Sequence, residues 1–387
     1  MRLLIAAGGT GGHIYPALAV ATSIRRRLVA PELDWVGGRR GLEAQLVPAA
    51  GFRLHRLALR SLRSVELNAH LVLDPIRLAA SVPQALWLLL RRRPAAIFTT
   101  GGYVAIPVLL AARILGIPTL MWEGNVVPGR SVRATARLAS ALAVSFAATC
   151  PALPSRRPCF VTGTPIRDLA AIDRLAARER LGIAPDARLV VVFGGSQAVR
   201  RLNEAVVGAL PRLVESVSVI HLAGNDGIVA AAAARAALPE GLRGRYRPVA
   251  FLGEGLLDAL AAADLVVGRA GSSTLAEITA FGLPMIVVPY PYAGAHQRAN
   301  AAELVDGGAA RFVEDAAFDS AALLDAVSIL DDPTRHATMA AAARSLAKPA
   351  AADAATELLL ALAERRPLPT AEVVARIALG GLMTAAR

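Results

Sequence analysis

Short apolar runs alternate with longer segments of helical periodicity along the whole chain. In the first half, the apolar runs are residues 3–7, 33–37, 95–99, 119–122, 141–145 and 160–162. In the second half, they are residues 189–193, 218–223, 246–251, 265–267, 285–288 and 310–313. Continuous apolar runs separated by helical segments are typical of parallel strands that helices cover on both faces. The pattern therefore predicts an α/β fold of two Rossmann-like halves, with the second half beginning after Asp168.

Glycine-rich turns follow three of these predicted strands. They read Gly-Gly-Thr-Gly-Gly-His at residues 8–13, Gly-Gly-Tyr at 101–103 and Gly-Gly-Ser-Gln at 194–197. Such a turn ahead of a helix presents free backbone amides and the positive end of the helix dipole to an anion. The first turn is neither a dinucleotide fingerprint, because Ile14 stands at the third glycine position, nor a Walker A motif. Ligands of open parallel sheets bind outside the carboxyl ends of the strands, so two such halves predict an interdomain cleft.

His13 closes the first turn and places a titratable imidazole at the start of the following helix. Anion binding and proton transfer can therefore meet at one place. The alternative is structural, in which the imidazole only caps or orients the turn. The residues of the turn leave both interpretations open.

Two polar stretches follow predicted strands in the second half. In the first, residues 268–277, Thr274 and Glu277 have the spacing of a helix capping box, which would be a purely structural role. Alternatively, this helix start binds a leaving pyrophosphate, and Glu277 accepts hydrogen bonds from two ribose hydroxyls. In the second stretch, Gln297 and Asn300 can form hydrogen bonds with sugar hydroxyls.

The composition narrows the class of protein. The chain has 387 residues, of which 55% are hydrophobic, so it can form two packed cores. Its net charge of +12 fits an anionic partner, but with only 4% aromatic residues it offers no stacking platform, and nucleic acid is not expected. No apolar run reaches the roughly eighteen residues of a membrane span, so a cytoplasmic protein is expected. Cys150 and Cys159 fit no metal or redox spacing and are expected to be reduced thiols.

Seven stretches along the chain resemble the MurG family of N-acetylglucosaminyltransferases, which convert lipid I to lipid II in peptidoglycan synthesis. The stretches are residues 8–17, 101–104, 123–129, 163–167, 194–197, 271–277 and 297–301. The resemblance implies a GT-B fold and an inverting, metal-independent transfer from UDP-N-acetylglucosamine, with no cofactor. We expect an acceptor- and membrane-facing domain at residues 1–164 and a UDP-sugar domain at 165–345. Residues 346–387 are expected to pack back on the first domain.

The resemblance also implies the site residues, carried over position by position. Donor contacts fall to Thr10, Gly11, Gly12, Asn125, Arg167, Ser196, Leu252, Ser272, Ser273, Thr274, Leu275, Ala276, Glu277 and Gln297. The acceptor diphosphate is expected at Gly12, His13, Gly101, Gly102 and Tyr103. No residue is expected to bind a metal.

The implied chemistry makes His13 the general base for the muramyl 4-hydroxyl. Amides at Ser196 and at residues 272–274, together with the charge of Arg167, would stabilise the departing UDP. The sequence departs from the family pattern at Gly124, where glutamine is common, and in the loop after Leu252, which is one residue longer.

A lipid acceptor requires the protein to reach a bilayer surface. Within residues 71–93, one helical face carries apolar side chains, with Trp87 nearby and three arginines at the end. The members of that face are Leu78, Val82, Ala85, Leu86, Leu89 and Leu90. The face predicts peripheral binding to the anionic cytoplasmic face of the cell membrane, and the alternative is an ordinary core-facing helix. Residues 371–383 form a weaker amphipathic segment.

Three other functions remain open at this point. A related UDP-sugar glycosyltransferase would share the fold and the donor site but use another lipid acceptor. A nucleotide-sugar epimerase would need an additional acid and base facing the sugar. A non-catalytic UDP-sugar-binding protein would have no need of His13.

Overall fold

The computed structural model describes residues 1–39, 41–59, 70–169, 171–194, 200–253, 255–291 and 296–381. The chain divides into two compact units. Unit 1 comprises Met1–Asp168 and Lys348–Arg387, and unit 2 comprises Leu169–Ala347.

In the described part of unit 1, seven parallel strands form one sheet. The strands are β1 (Arg2–Ala6), β2 (Glu32–Gly37), β3 (Arg53–Arg56), β4 (Ala96–Thr99), β5 (Thr119–Glu123), β6 (Ala141–Val144) and β7 (Cys159–Val161). The helices between them are α1 (Gly11–Arg27), α2 (Glu43–Ala49), α3 (His70–Arg92), α4 (Gly102–Leu115), α5 (Arg130–Thr135) and α6 (Thr149–Ala152). The order across the sheet is β3-β2-β1-β4-β5-β6-β7. The order changes direction between β1 and β4, which is where ligands of such sheets bind.

The described part of unit 2 contains a sheet of six parallel strands. They are β8 (Leu189–Phe193), β9 (Ser218–Leu222), β10 (Tyr246–Val249), β11 (Leu265–Gly268), β12 (Met285–Val287) and β13 (Ala310–Phe312). The main helices are α7 (Arg174–Leu181), α8 (Arg200–Ser216), α9 (Gly224–Ala237), α10 (Glu240–Arg243), α11 (Gly255–Ala262), α12 (Ser272–Ala280), α13 (His296–Asp306), α14 (Ser320–Val327) and α15 (Pro333–Leu346). The order across the sheet is β10-β9-β8-β11-β12-β13. The two parallel sheets confirm the predicted fold class, and β3 is a strand that the apolar pattern did not predict.

The end of the chain returns to unit 1 as α16 (Ala351–Ala363) and α17 (Ala371–Ala378). Helix α16 packs against α1, where Arg26 bonds Asp353 at 2.7 Å and Arg27 bonds Glu357 at 3.0 Å. Its apolar side extends the core that α1 forms on one face of the sheet.

The core of unit 1 lies on both faces of its sheet, and alternate residues of each strand contribute to opposite faces. Leu3 and Ile5 of β1 belong to the cluster under α1 and α16, whereas Leu4 and Ala6 belong to the cluster under α3 and α4. Because successive side chains point to opposite faces, a strand covered on both sides is apolar throughout. This explains why the apolar runs predicted the strands.

The predicted membrane face of α3 faces the core instead. Ala85 and Leu89 are each 1% exposed, and Leu78 and Leu86 pack against the same cluster under the sheet. Among its predicted members, Leu90 alone is strongly exposed, at 51%. The core-facing alternative is therefore correct for this face.

The expectation of two reduced thiols is wrong, because Cys150 and Cys159 form a disulfide. It joins α6 to the start of β7, across nine positions of sequence. The two Cα atoms lie 6.0 Å apart because α6 and the loop after it fold back. The spacing of the two cysteines in the sequence does not show this, so it did not predict the disulfide.

Candidate active site

The first glycine turn of unit 1 leaves the start of α1 without a side-chain cap. Thr10 is the N-cap residue in an extended conformation, and its side chain makes no capping hydrogen bond. Its carbonyl oxygen accepts from the amides of His13 and Ile14. The Gly11 and Gly12 amides precede the first intrahelical hydrogen bonds, so this helix start retains donors for an anion.

The imidazole of His13 is oriented by the neighbouring strand end. Its Nδ1 lies 2.8 Å from the carbonyl oxygen of Thr100, which directly follows β4. A carbonyl oxygen can only accept, so Nδ1 carries the proton and a neutral imidazole has its lone pair on Nε2. The Thr100 hydroxyl donates back to the carbonyl oxygen of His13 at 3.1 Å. The ring is therefore held in the tautomer that a base acting through Nε2 needs.

The second glycine turn lies beside that nitrogen. Gly102 begins α4 with a φ of 75°, which favours glycine, and a Cβ atom there would lie 3.8 Å from Nε2 of His13. Gly101 caps this helix without a side chain. The structure thus brings four of the predicted acceptor residues, Gly12, His13, Gly101 and Gly102, to adjacent strand ends.

Tyr103 is oriented differently from the other residues of this group. Its side chain is 9% exposed, and its hydroxyl donates to Oε1 of Glu43 at 2.9 Å. Burial and the nearby Glu43 carboxylate raise the pKa of Tyr103 above its ordinary value of 10. The hydroxyl proton is therefore already engaged, and Tyr103 offers an anion its backbone amide in the first turn of α4.

Asn125 follows the end of β5 and is held by Glu123. Oε1 of Glu123 accepts from the Asn125 backbone amide at 2.8 Å and from its side-chain Nδ2 at 3.0 Å. Oε2 of the same carboxylate accepts from the Gly129 amide at 2.9 Å. Glu123, which the site prediction did not include, thus shapes the loop that positions Asn125.

In unit 2, α12 begins at Ser272, and its N-cap residue is Gly271, which has no side chain that could cap the helix. Thr274 and Glu277 both lie inside the helix, so the capping-box interpretation is wrong. They are three positions apart and share one face of α12. The hydroxyl of Ser273 is buried and has no hydrogen-bond partner among the described residues. Leu275 is 2% exposed, so its side chain belongs to the core.

Side chains from α13 fix the loop ahead of α12. Oε1 of Gln297 accepts from the backbone amides of Ala270 at 3.2 Å and Tyr290 at 2.9 Å. Nδ2 of Asn300, which is fully buried, donates to the carbonyl oxygen of Ala270 at 3.1 Å. Gln297 therefore directs its amide oxygen to the backbone, and its NH₂ group is the end suited to a ligand.

The remaining predicted donor residues are spread over both units. Arg167 is half-buried near the end of the first segment of unit 1. Leu252 and Ala276 are half-buried in unit 2, where Leu252 accepts from the Gly255 amide at 2.9 Å. Ser196 lies outside the described residues.

Among the residues that the structure describes, no group of three or more His, Cys, Asp or Glu side chains is placed to hold a metal ion. No described helix is long and apolar enough to cross a membrane.

Two family models match the chain. Residues 3–144 match the N-terminal domain of glycosyltransferase family 28, and residues 189–358 match its C-terminal domain. Together they cover most of both units, with the glycine turns of unit 1 in the first and α12 in the second.

Curated relatives match almost the whole chain. A protein of Desulforudis audaxviator is 38% identical over 94% of this chain and 99% of its own length. A protein of Chlorobaculum parvum is 36% identical over 94% of this chain and all of its own length. Both are named UDP-N-acetylglucosamine--N-acetylmuramyl-(pentapeptide) pyrophosphoryl-undecaprenol N-acetylglucosamine transferase.

A solved structure supports the same relationship. The crystal structure of Acinetobacter baumannii MurG superposes with a TM-score of 0.74 at 28% identity, over 93% of this chain and 99% of that one. The two parallel sheets and the paired domain matches define a glycosyltransferase of the GT-B fold. Within that class, the chain belongs to the MurG family.

Proposed function

We propose that this protein transfers N-acetylglucosamine from UDP-N-acetylglucosamine to the 4-hydroxyl of the muramyl sugar of lipid I, which forms lipid II for the cell wall. The names of relatives that match nearly the whole chain support this transfer. The observation that carries the proposal is the hydrogen bond from His13 to Thr100. It makes Nε2 of a neutral imidazole a proton acceptor beside two glycine turns.

Unit 1 is the acceptor-binding unit in this proposal. The lipid acceptor carries a diphosphate, and the starts of α1 and α4 lie at adjacent strand ends, β1 and β4. Their first-turn amides include those of Gly11, Gly12, Gly102 and Tyr103. Two uncapped helix starts side by side suit a diphosphate, since each supplies donors and a positive dipole end.

Unit 2 is the donor-binding unit. The Ser273 hydroxyl is buried and has no hydrogen-bond partner in the described part of the chain, which supports a ligand at the start of α12, because buried polar groups normally have partners. Thr274 and Glu277 share a face of that helix, and Glu277 would accept from the ribose hydroxyls. The Gln297 amide nitrogen would donate to the sugar. Thr10, Asn125 and Leu252 are proposed as further donor contacts.

The proposed chemistry is a single displacement. Nε2 of His13 takes the proton of the 4-hydroxyl as that oxygen bonds to the anomeric carbon. The bond from the anomeric carbon to the diphosphate oxygen breaks, and its electron pair leaves with UDP, so the configuration inverts. Amides at the start of α12 and at Ser196, with the charge of Arg167, stabilise the departing UDP. The interdomain cleft in which the substrates would meet stays a prediction.

The membrane-facing surface is proposed on the exposed side of α3, which keeps Leu90 of the predicted face and adds Ile76 and Trp87. Ile76, Trp87 and Leu90 are 51–58% exposed on this helix. The neighbouring helix α4 exposes Leu110 and Ile114. Arginines stand at the same ends of both helices, and the Arg91 guanidinium lies 5.1 Å from the Trp87 ring centroid. Exposed apolar side chains flanked by arginines fit an anionic bilayer, which would make the protein peripheral on the cytoplasmic face.

A UDP-release assay tests the transfer. Purified protein is incubated with UDP-N-acetylglucosamine and lipid I, with diacylglycerol in place of lipid I, or with no acceptor. We expect UDP release only with lipid I, together with a product heavier by one N-acetylglucosamine. Release with diacylglycerol alone would indicate the related lipid glycosyltransferase. Tight UDP binding without release would indicate a sugar-binding protein.

A further inference from the structure

A buried carboxylate connects three loops at the carboxyl edge of the unit 1 sheet. Glu43 is the first residue of α2 and is completely buried. Its Oε2 accepts from the Gly9 amide at 2.9 Å. Its Oε1 accepts from the Gly38 amide at 3.0 Å and from the Tyr103 hydroxyl at 2.9 Å. One side chain therefore joins the turns that follow β1, β2 and β4.

The surrounding glycines are matched to the volume of this side chain. A Cβ atom at Gly8 would lie 2.6 Å from Oε1 of Glu43, and one at Gly37 would lie 2.8 Å from its Cγ. A Cβ at Gly38 would lie 2.5 Å from the Tyr103 hydroxyl, and one at Gly41 would overlap Oε2. None of these glycines has a positive φ, so they are required for space rather than for backbone conformation.

The hydrogen bonds require a carboxylate in particular. All three partners of Glu43 are donors, and an ionised carboxylate only accepts. A glutamine has nearly the same shape but would direct its NH₂ group at one of these donors. The buried donor would lose its partner, and the turn that carries it would be repelled.

The loops held by Glu43 are those that carry the proposed acceptor site. Gly9, with a φ of 100°, leads directly into the first turn of α1, and Tyr103 follows Gly102 beside Nε2 of His13. His13 makes its own contact across the same two strand ends, to Thr100. The β1 and β4 turns are thus tied twice, once through the base and once through Glu43.

We propose that Glu43 is a positioning residue for the acceptor, which holds the two glycine turns at the separation that the lipid diphosphate and His13 require. The inference rests on the proposed function for the identity of the acceptor. The link between the turns, which consists of the three hydrogen bonds of Glu43, is a property of unit 1 alone. The three partners of Glu43 lie in unit 1, whereas α12 belongs to unit 2, so we expect donor binding at α12 not to depend on Glu43.

The test compares Glu43→Gln with Glu357→Gln. Glu357 is a second buried glutamate of unit 1, in α16, where it pairs with Arg27 and Arg366 away from the glycine turns. We expect E43Q to lower kcat/KM for lipid I by about 10- to 100-fold, as displaced catalytic geometry does. The dissociation constant for UDP should stay within about twofold of the wild-type value. E357Q should change only the melting temperature.

Tyr103→Phe gives a milder second test that removes one of the three donors. It should lower kcat/KM for lipid I by a smaller factor, and it should have less effect in an E43Q background than in the wild type. Normal acceptor kinetics in a folded E43Q protein would overturn the proposal. So would a Y103F effect of the same size in both backgrounds. If E43Q does not fold, the Y103F protein alone decides, since unchanged acceptor kinetics there count against the tie.

Hydrogen exchange separates this proposal from the proposed function. In E43Q, amides of residues 8–12 and 101–104 should exchange faster, and those of α12 should not. Faster exchange in an E43Q protein whose wild type releases no UDP with lipid I would refute the function but support the tie. If the wild-type protein is active and the E43Q protein shows unchanged exchange, the positioning role of Glu43 would be refuted and the proposed function would stand.

Discussion

Nδ1 of His13 and the carbonyl oxygen of Thr100 lie 2.8 Å apart, which leaves Nε2 as the nitrogen of a neutral imidazole that can accept a proton. The general-base role requires a neutral ring, so activity with lipid I should fall as the pH is lowered and His13 becomes protonated. We expect His13→Ala to lower kcat by about 10²- to 10⁴-fold and to remove this acidic limb. The measurement is the pH profile of lipid I-dependent UDP release.

Thr100→Ala is the matched control for that experiment. It removes the hydroxyl that donates to the His13 carbonyl but keeps the backbone oxygen that accepts from Nδ1. The T100A enzyme should therefore keep the acidic limb and most of its kcat. Near-normal turnover in H13A, with weaker UDP binding instead, would contradict the base assignment.

Ser273 gives a prediction for the donor side. Its hydroxyl has no partner within the described ranges, so Ser273→Ala should not lower the melting temperature. If the hydroxyl bonds the donor, S273A should raise KM for UDP-N-acetylglucosamine by about 3- to 10-fold, the worth of one hydrogen bond. Thr356→Val is the control, because it removes another buried hydroxyl without a described partner, in α16 of unit 1. An equal KM change in both variants would argue against donor contact at Ser273.

The strands could be predicted from the sequence where burial on both faces makes them apolar. Strand β3 lacks that signal, because its residues Arg53–Arg56 lie at the sheet edge. Polar contacts add to its pairing with β2, since His55 forms a hydrogen bond with Asp34 of β2 at 2.8 Å. Arg92, at the end of α3, donates a hydrogen bond to the same carboxylate at 2.6 Å. Such contacts depend on residues far apart in the chain, which a local pattern does not reveal.

The parts of the candidate site that could be predicted are those in which one local motif supplies the ligand-binding groups. The glycine turns and His13 are local, and the structure brings them together at β1 and β4. The role of Glu43 was not predicted, because its hydrogen-bond partners come from three separate segments of the chain. The signal in the sequence was the cluster of glycines within residues 37–41. These positions need glycine because a larger residue would clash with its neighbours, and not because of their backbone conformation. The spacing of Thr274 and Glu277 left a capping box open as an alternative, which the structure excludes because the helix begins two residues before Thr274.

His221 predicts how the stability of unit 2 depends on pH. It is buried between the Tyr246 hydroxyl at 2.8 Å and Oδ1 of Asn203 at 2.9 Å, and burial lowers its pKa to about 4 from 6.5. Between these values the unfolded chain binds a proton that the folded unit does not. Stability is therefore full above pH 6.5 and falls as the pH drops towards 4, by about 3 kcal/mol at most.

Urea denaturation at pH 7, 6 and 5 measures this loss for unit 2. His221→Gln should be less stable at pH 7, but its unfolding free energy should depend less on pH. His336→Gln is the control within the same unit, where His336 bonds the Asp264 carbonyl oxygen at 2.8 Å. H336Q should keep the wild-type pH dependence. If H221Q keeps it as well, His221 is not its source.

The exposed side of α3 predicts how the protein binds membranes. Trp87→Glu with Leu90→Glu should abolish flotation with phosphatidylglycerol vesicles, because these side chains are 58% and 51% exposed and can change without disturbing the core. Leu86→Glu with Leu89→Glu is unsuitable, since Leu89 is 1% exposed and the pair would destabilise unit 1. Leu175→Glu is the matched control, as Leu175 is 66% exposed on α7 of unit 2. Wild-type and L175E proteins should float equally well and detach as salt rises, because the arginine contribution is screened. Unchanged flotation of the W87E/L90E protein would exclude this surface.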